Sequence, residues 1–311
     1  MKGKNILFSV IIPTYNNAHF LKSAVDSVLA QTYKNFEILI IDNNSTDETS
    51  KIIANFDDSR ISEYKISNNG VIAKSRNMGI SLAKGNWICF LDSDDIWYKS
   101  RLEIISQKIL TNLNCDVFTT NEYVRFINSG NKKRLFYGPL IRNKYKSLLL
   151  YGNRLSTSAT VVKKEFLDKF GIFFNEKKSY ITVEDYDFWL QLALKKAGFK
   201  FIKSFQGEYL IHNNNSSGKI ELHRFNLNNL LKDHVYNVQD FSRQKNKLWL
   251  NIYSSREFIY LIRNKNKINS NFIKNIVHIF FRAPFFIINY LIARILYAIL
   301  NEIQYILLIK K

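Results

Sequence analysis

Apolar residues occupy the first third of the chain as short unbroken runs, separated by stretches in which they recur at helical spacing. FSVII at Phe8–Ile12, FEILII at Phe36–Ile41 and WICFL at Trp87–Leu91 read as strands covered on both faces. Ile61–Ile66 and Asp116–Thr120 read as two more. Between the first two runs, Leu21, Ala24, Val25, Val28 and Leu29 share one helical face, with Asn16 and Asn17 available as caps. Ser45 and Glu48 have the spacing of a capping box and predict the start of a second helix. Val71–Ala83 predicts a third, stopped by Gly85, and Arg101–Leu110 a fourth. Strands alternating with helices predict an α/β fold with a doubly wound, mostly parallel sheet. Asn121 to His212 alternates less regularly and predicts strands mixed with two helices, one containing Glu184 to Lys196. The Asn/Ser-rich stretch Asn213–Gly218 then marks a boundary, giving a first domain at 1–218 and a C-terminal extension at 219–311.

In sheets of this kind ligands bind outside the carboxyl ends of the strands. Thr14, Asp42 and the run Asp92-Ser93-Asp94-Asp95 all fall at such ends. Three carboxylates within four residues repel one another unless a cation sits among them. A hard divalent ion shared with substrate phosphates answers that repulsion, as magnesium and manganese favour few carboxylates plus phosphate oxygens. A solvated acidic turn capping the next helix is the plainer alternative. Asp42, at a strand end, suits acceptance of bonds from a base or ribose.

Four further residues carry candidate chemistry. Glu184 and Asp185 open the run VEDYDFWLQLALKK, where the helix dipole favours acidic residues whatever their function. A carboxylate there also suits a general base that takes a proton from an incoming hydroxyl. Arg76, on the helix after Asn68-Asn69-Gly70, either points to solvent or folds back onto a phosphate or the acidic turn. His212 follows the strand-like GEYLI and precedes a polar loop, a place from which it would serve as a third protein ligand to a metal.

Charge adds a partner to this picture. The chain has 45 Lys+Arg against 26 Asp+Glu, a formal +19, which points to a polyanionic neighbour. No nucleic-acid-binding module is recognisable, so nucleic acid is not expected. From Lys232 to Lys311 there are 13 Lys+Arg and 4 Asp+Glu among many Phe, Ile, Leu and Tyr. Ile276–Ile309 is apolar but broken by Arg282, Asn289, Arg294 and Glu302, too often for a spanning helix of roughly 18 residues. It predicts an amphipathic helix at an anionic membrane surface, helped by the basic run Arg263 to Lys267, or else a helix packed on the first domain. Cys89 and Cys115 have no second cysteine at metal-ligand spacing and read as buried side chains. Met1–Phe8 runs straight into a strand with no signal-peptide pattern, so a cytoplasmic protein is expected.

Taken together, SVIIPTYNN (Ser9–Asn17), ILIIDNNSTDET (Ile38–Thr49), NNGVIAKSRNMGI (Asn68–Ile80), ICFLDSDD (Ile88–Asp95) and VEDYDFWLQLA (Val183–Ala193) resemble the family-two inverting glycosyltransferases with a GT-A fold, of the bacterial surface-polysaccharide type. The resemblance covers residues 5–215 and leaves the tail uncovered. It implies that Pro13, Thr14 and Tyr15 line the nucleotide pocket and that Asp42 contacts the base. Arg76 would approach the diphosphate or the acidic turn, Asp92 and Ser93 would meet the ribose or sugar, and Asp94 with His212 would hold Mn2+ or Mg2+. Asp185 becomes the catalytic base and Glu184 its helper. The implied donor is a nucleotide sugar, most commonly a UDP sugar. The implied acceptor is a glycan or a polyprenyl-diphosphate-linked sugar at the inner face of the cell membrane. A nucleotidyltransferase also combines an open α/β sheet with paired aspartates, but no Gly-rich phosphate loop follows the first strand here. A non-catalytic sugar-nucleotide-binding protein is the remaining alternative.

Overall fold

The computed structural model describes residues 6–138, 140, 143–212 and 220–263. Its first half alternates as the apolar runs require: β1 (Phe8–Thr14), α1 (Ala18–Leu29), β2 (Phe36–Asp42), α2 (Thr49–Ala54), β3 (Ile61–Lys65), α3 (Ile72–Leu82) and β4 (Trp87–Phe90). There follow β5 (Ile96–Trp97), α4 (Arg101–Thr111), β6 (Val117–Phe126), β7 (Lys132–Leu135), α5 (Lys144–Tyr151), β8 (Thr160–Lys163), α6 (Lys164–Phe170), α7 (Glu184–Leu194) and β9 (Phe199–Ile211). Helices α8 (Ile220–Asp233) and α9 (Lys245–Arg263) complete the described chain. The stretch between Asn121 and His212 therefore holds three helices rather than two, and α7 stops at Leu194, before a left-handed Lys196.

The strands form one sheet in the order β3-β2-β1-β4-β8-β6-β9-β5, with β7 paired to β6. From β3 to β4 it is parallel, as expected. Beyond β4 it is mixed: β8 runs antiparallel to both β4 and β6, and β9 is parallel to β6. β1 is central and buried at all seven positions. Its inner face joins Leu21, Ala24, Val25 and Val28 of α1, and Leu102 and Ile105 of α4, in one apolar cluster. Each of the Leu, Val and Ile side chains among them contributes roughly 1.5–3 kcal/mol on leaving water.

β1 runs on through Pro13, which the apolar pattern had set as its stop. The Leu7 and Ile11 carbonyls face β4, accepting from the amides of Trp87 and Leu91 at 3.2 and 3.0 Å. Pro13 turns its nitrogen to the same side, where β4 has already ended at Phe90, so no ladder bond is lost. Two cap assignments also change. The Ser45 hydroxyl donates to Asp42 Oδ1 at 2.5 Å and caps nothing, and α2 begins four residues later. Asp47 does the capping instead, accepting from the amides of Thr49 and of Ala18 at the head of α1, both at 3.0 Å. Asn17 offers α1 no side-chain bond. Gly85 is no left-handed stop either: a Cβ there would lie 2.6 Å from the Ser9 hydroxyl and 2.7 Å from the Leu7 carbonyl, so close approach to β1 excludes a side chain.

The described residues divide into two compact units. One comprises 6–145 and 153–226 and contains the whole sheet; the other comprises 146–152 and 227–263 and is helical. Residues 264–311, with the interfacial helix expected at Ile276–Ile309 and most of the basic run before it, lie outside the described residues. No helix among the described residues is long and apolar enough to cross a membrane. Cys89 is buried and Cys115 half-buried, just ahead of β6, and neither forms a disulfide.

Candidate active site

The acidic run is a turn that leaves β4, closed by the Asp95 amide donating to the Asp92 carbonyl at 2.9 Å. Its carboxylates do not share one environment. Asp95 turns inward, accepting from the Ser158 hydroxyl at 2.5 Å and from the Leu210 amide of β9 at 3.0 Å. Burial, together with the charges of Asp94 and Glu122, holds its carboxyl well above the usual carboxylate range. Asp95 is thus an anchor that ties the turn to β8 and β9. Ser158 also accepts from the Asp92 amide at 3.1 Å.

Asp92 is bridged instead. Its Oδ2 accepts from the Thr157 hydroxyl at 3.2 Å, and its Oδ1 from Arg76 Nη2 at 2.8 Å. Arg76 does not point to solvent: its side chain is only 4% exposed. Its second arm donates from Nη1 to Glu184 Oε1 at 2.9 Å. Burial works against the guanidinium charge, but the two carboxylates outweigh it and hold the group protonated. Arg76 therefore spans 108 residues of sequence to lock α7 onto the acidic turn. With one carboxylate on each arm it braces the two elements, and it also lines the cleft between them.

Asp94 faces His212. Its Oδ2 lies 3.0 Å from His212 Nε2, and the His212 ring stacks on Phe20 with centroids 4.6 Å apart. Burial and the neighbouring Asp92 raise the Asp94 carboxyl, while His212 pulls it back. A carboxylate oxygen and an imidazole nitrogen converging on one point suit a divalent ion whose other positions go to phosphate oxygens. Among the described residues no group of three or more such side chains is assembled, and Asp92 is already held by Arg76 and Thr157.

These groups face a cleft of about 400 Å³. Of the residues singled out from the sequence, Pro13, Thr14, Tyr15, Arg76, Asp92, Ser93, Asp94, Glu184 and His212 line it. Asn17, Asn68 and Tyr209 line it too, and sequence reasoning missed them as site residues. Asn17 donates to the Ser93 hydroxyl at 2.7 Å, so the end of β1 and the acidic turn are joined directly. Asp42 is fully buried and stands outside the lining, its Oδ1 held by Ser45; its neighbour Asn43 lines the cleft in its place. Among the described residues lining the cleft, the buried oxygens Thr14 Oγ1, Thr182 Oγ1 and Glu184 Oε2 have no hydrogen-bond partner, nor has Asp42 Oδ2 behind it. Unpaired buried acceptors are costly and mark where a ligand's donors would be received.

Asp185 opens onto an adjoining pocket of about 260 Å³, shared with Tyr137, Leu155, Thr157 and His223. Arg76, Asp92, Thr182, Glu184 and Tyr209 border both spaces. The half-buried Asp185 accepts from Asn153 Nδ2 at 3.0 Å and from the Tyr186 amide at 2.7 Å. Desolvation and the adjacent Glu184 push its carboxyl up to about 7, against the opposing pull of Arg76. That is the range of a base that exchanges protons near neutrality.

Residues 9–169 match the family described as Glycosyl transferase family 2. The amylovoran biosynthesis glycosyltransferase AmsB of Erwinia amylovora is 34% identical over 211 residues, 64% of this chain and 67% of that protein. The UDP-Glc:alpha-D-GlcNAc-diphosphoundecaprenol beta-1,3-glucosyltransferase WfaP of Escherichia coli is 34% identical over 223 residues, 70% of this chain and 81% of that protein. An uncharacterized glycosyltransferase of Rickettsia conorii is 29% identical over 75% of this chain, which spans only 39% of that longer protein. Among solved structures, S. aureus TarS 1-349 in complex with UDP-GlcNAc aligns with a TM-score of 0.65 at 20% identity, over 88% of this chain and 79% of that one. A mannosyltransferase from Pyrobaculum calidifontis, in complex with GDP-Man and Mn2+, aligns at 0.54 and 16% identity, over 79% and 68%. The fold common to this chain and these neighbours is GT-A.

Proposed function

Because the chain belongs to glycosyl transferase family 2, we propose that it transfers a sugar from a UDP sugar to a hydroxyl of a lipid-linked saccharide, inverting the anomeric configuration. The product is an intermediate of a bacterial surface polysaccharide. The observation that carries this reading is the Arg76 brace: it fixes the acidic turn against Glu184, so the cleft of Asp94 and the pocket of Asp185 share one wall.

In this reading the nucleotide lies against Pro13, Thr14 and Tyr15, with Tyr15, 57% exposed, closing over the base from the rim. Thr14 Oγ1 offers an unpaired acceptor toward base or ribose, with Asn43 beside it in the lining. Ser93 and Asp92 line the sugar side. Asp94 and His212 hold Mn2+ or Mg2+; when bound, the ion supplies positive charge for the departing diphosphate. Asp185 takes the proton of the acceptor hydroxyl. That oxygen forms its bond to the anomeric carbon from the face opposite the phosphate, and the electron pair of the broken bond leaves with the diphosphate. Phosphate leaves without protonation, so one base suffices and the two-carboxyl arrangement of a glycosidase is unnecessary. Family membership sets the nucleotidyltransferase alternative aside.

The curated relatives WfaP and WfgD, by their names, glucosylate GlcNAc-diphosphoundecaprenol, and we adopt that acceptor class. The basic, apolar extension would then bring the enzyme to the inner membrane face, where such acceptors reside. The test is turnover of a panel of nucleotide sugars, with Mn2+, on GlcNAc diphosphate carrying a long alkyl chain, alongside calorimetry of UDP. Asp94→Ala is expected to abolish metal-dependent UDP binding. Undiminished binding by that variant would remove the metal role, and no transfer from any donor would sink the transferase reading.

A further inference from the structure

The segment that delivers Glu184 and Asp185 is held in an unusual way. A short 3-10 turn, Lys178–Tyr180, leads into Ile181 and Thr182, and α7 begins two residues later. Thr182 sits at φ 73°, in the left-handed region, although it is β-branched and its Cβ is crowded there. Such a conformation persists only when surrounding contacts impose it. The contacts come from α8. Asn226 Nδ2 donates to the Ile181 carbonyl at 2.9 Å, and His223 Nδ1 lies 3.0 Å from the Thr182 carbonyl. A carbonyl can only accept, so His223 carries its proton on Nδ1 here. Positions three apart on one helix face thus grip two consecutive carbonyls, and the second belongs to the strained residue. His223 also borders the pocket into which Asp185 opens.

We infer that His223 and Asn226 are positioning residues: their grip on Ile181 and Thr182 sets where α7 starts, and so where Asp185 meets the acceptor hydroxyl. The inference rests on the transferase reading and assigns a task to a helix beyond the family match, which ends at residue 169. Ile181, Thr182 and Glu184 line the donor cleft as well, but its acidic turn has anchors of its own in Ser158 and Asn17.

Three full-chain variants test it: His223→Leu, Asn226→Ala and His223→Asn, the last placing an amide N–H near the position of Nδ1. Each is measured for kcat and donor KM in the transfer assay, and for hydrogen exchange at the amides of residues 181–187. The expected result is a fall in kcat of about a hundredfold for His223→Leu, with donor KM within about twofold of the parent and faster exchange across the segment. Asn226→Ala moves in the same direction, and His223→Asn restores most of the loss. An unchanged kcat in both deletion variants overturns the inference, as does a loss carried by donor KM, or one that His223→Asn fails to recover. Parent turnover separates this from the wider reading: a parent without transfer refutes the transferase assignment, and unaltered exchange in both deletion variants then refutes the grip by itself.

Discussion

Replacing Asp185 by asparagine separates what this carboxyl does for the reaction from its effect on the fold. Desolvation, reinforced by Glu184, raises it from 3.8 to about 7. An acid whose folded value is raised binds its proton more tightly in the native state than in the unfolded chain. The native state is therefore unpenalised below pH 3.8 and loses stability progressively as pH rises from about 4 to 7. At 1.36 kcal/mol per pH unit the interval amounts to roughly 4 kcal/mol. Solvent reaching the half-buried group reduces this to about 2 kcal/mol. Asp185→Asn carries no such charge, so it should melt about 5 °C above the parent at pH 8 and nearly with it at pH 4. Its transfer rate should be lost at every pH. In the parent, the base is about one-tenth ionised at pH 6, about half at pH 7 and about nine-tenths at pH 8, so kcat should climb roughly tenfold across that range. Differential scanning calorimetry at the two pH values and a kcat–pH profile under saturating donor make the measurement. A melting difference independent of pH, or a flat profile from pH 6 to 8, would refute the argument for a strained, neutral-poised base.

Removing the brace should be more damaging than removing the base. Arg76→Met leaves Asp92 and Glu184 facing each other without their cation, and a loss of about 3–5 kcal/mol is expected in urea titration; a loss below about 1 kcal/mol would show that the carboxylates find other partners. For the extension, liposomes with anionic lipid should float the full chain but not a chain ending at Arg263, and the difference should shrink as salt rises. Equal flotation of the two would place membrane affinity elsewhere or nowhere.

The first half of the fold was legible because β1, β2 and β4 carry unbroken apolar runs and α1 and α4 clear apolar stripes, so period and composition agree. Strand ends then led to Thr14 and the acidic turn, since in parallel strands the carboxyl ends gather on one edge. The same rule hid Thr157 and Ser158. They precede β8, which runs antiparallel to β4, so its beginning rather than its end reaches the site. Nothing local marks that reversal, although the polar run Ser156–Ser158 just ahead of an apolar strand is the signal that was there to read. Ser45 failed as a cap for a local reason: its amide and its hydroxyl both donate to Asp42, three residues earlier in the same loop. The acidic turn sharpens the point. Its sequence states a problem, three carboxylates in four residues, and suggests one solution, a cation. The fold divides the problem into three: Asp95 is turned inward to Ser158 and the Leu210 amide, Asp92 is matched by Arg76, and Asp94 alone is left beside His212. The partners come from three distant segments, Arg76 from α3, Ser158 from just ahead of β8, and Leu210 with His212 from the end of β9, so the turn is held in place by the fold itself.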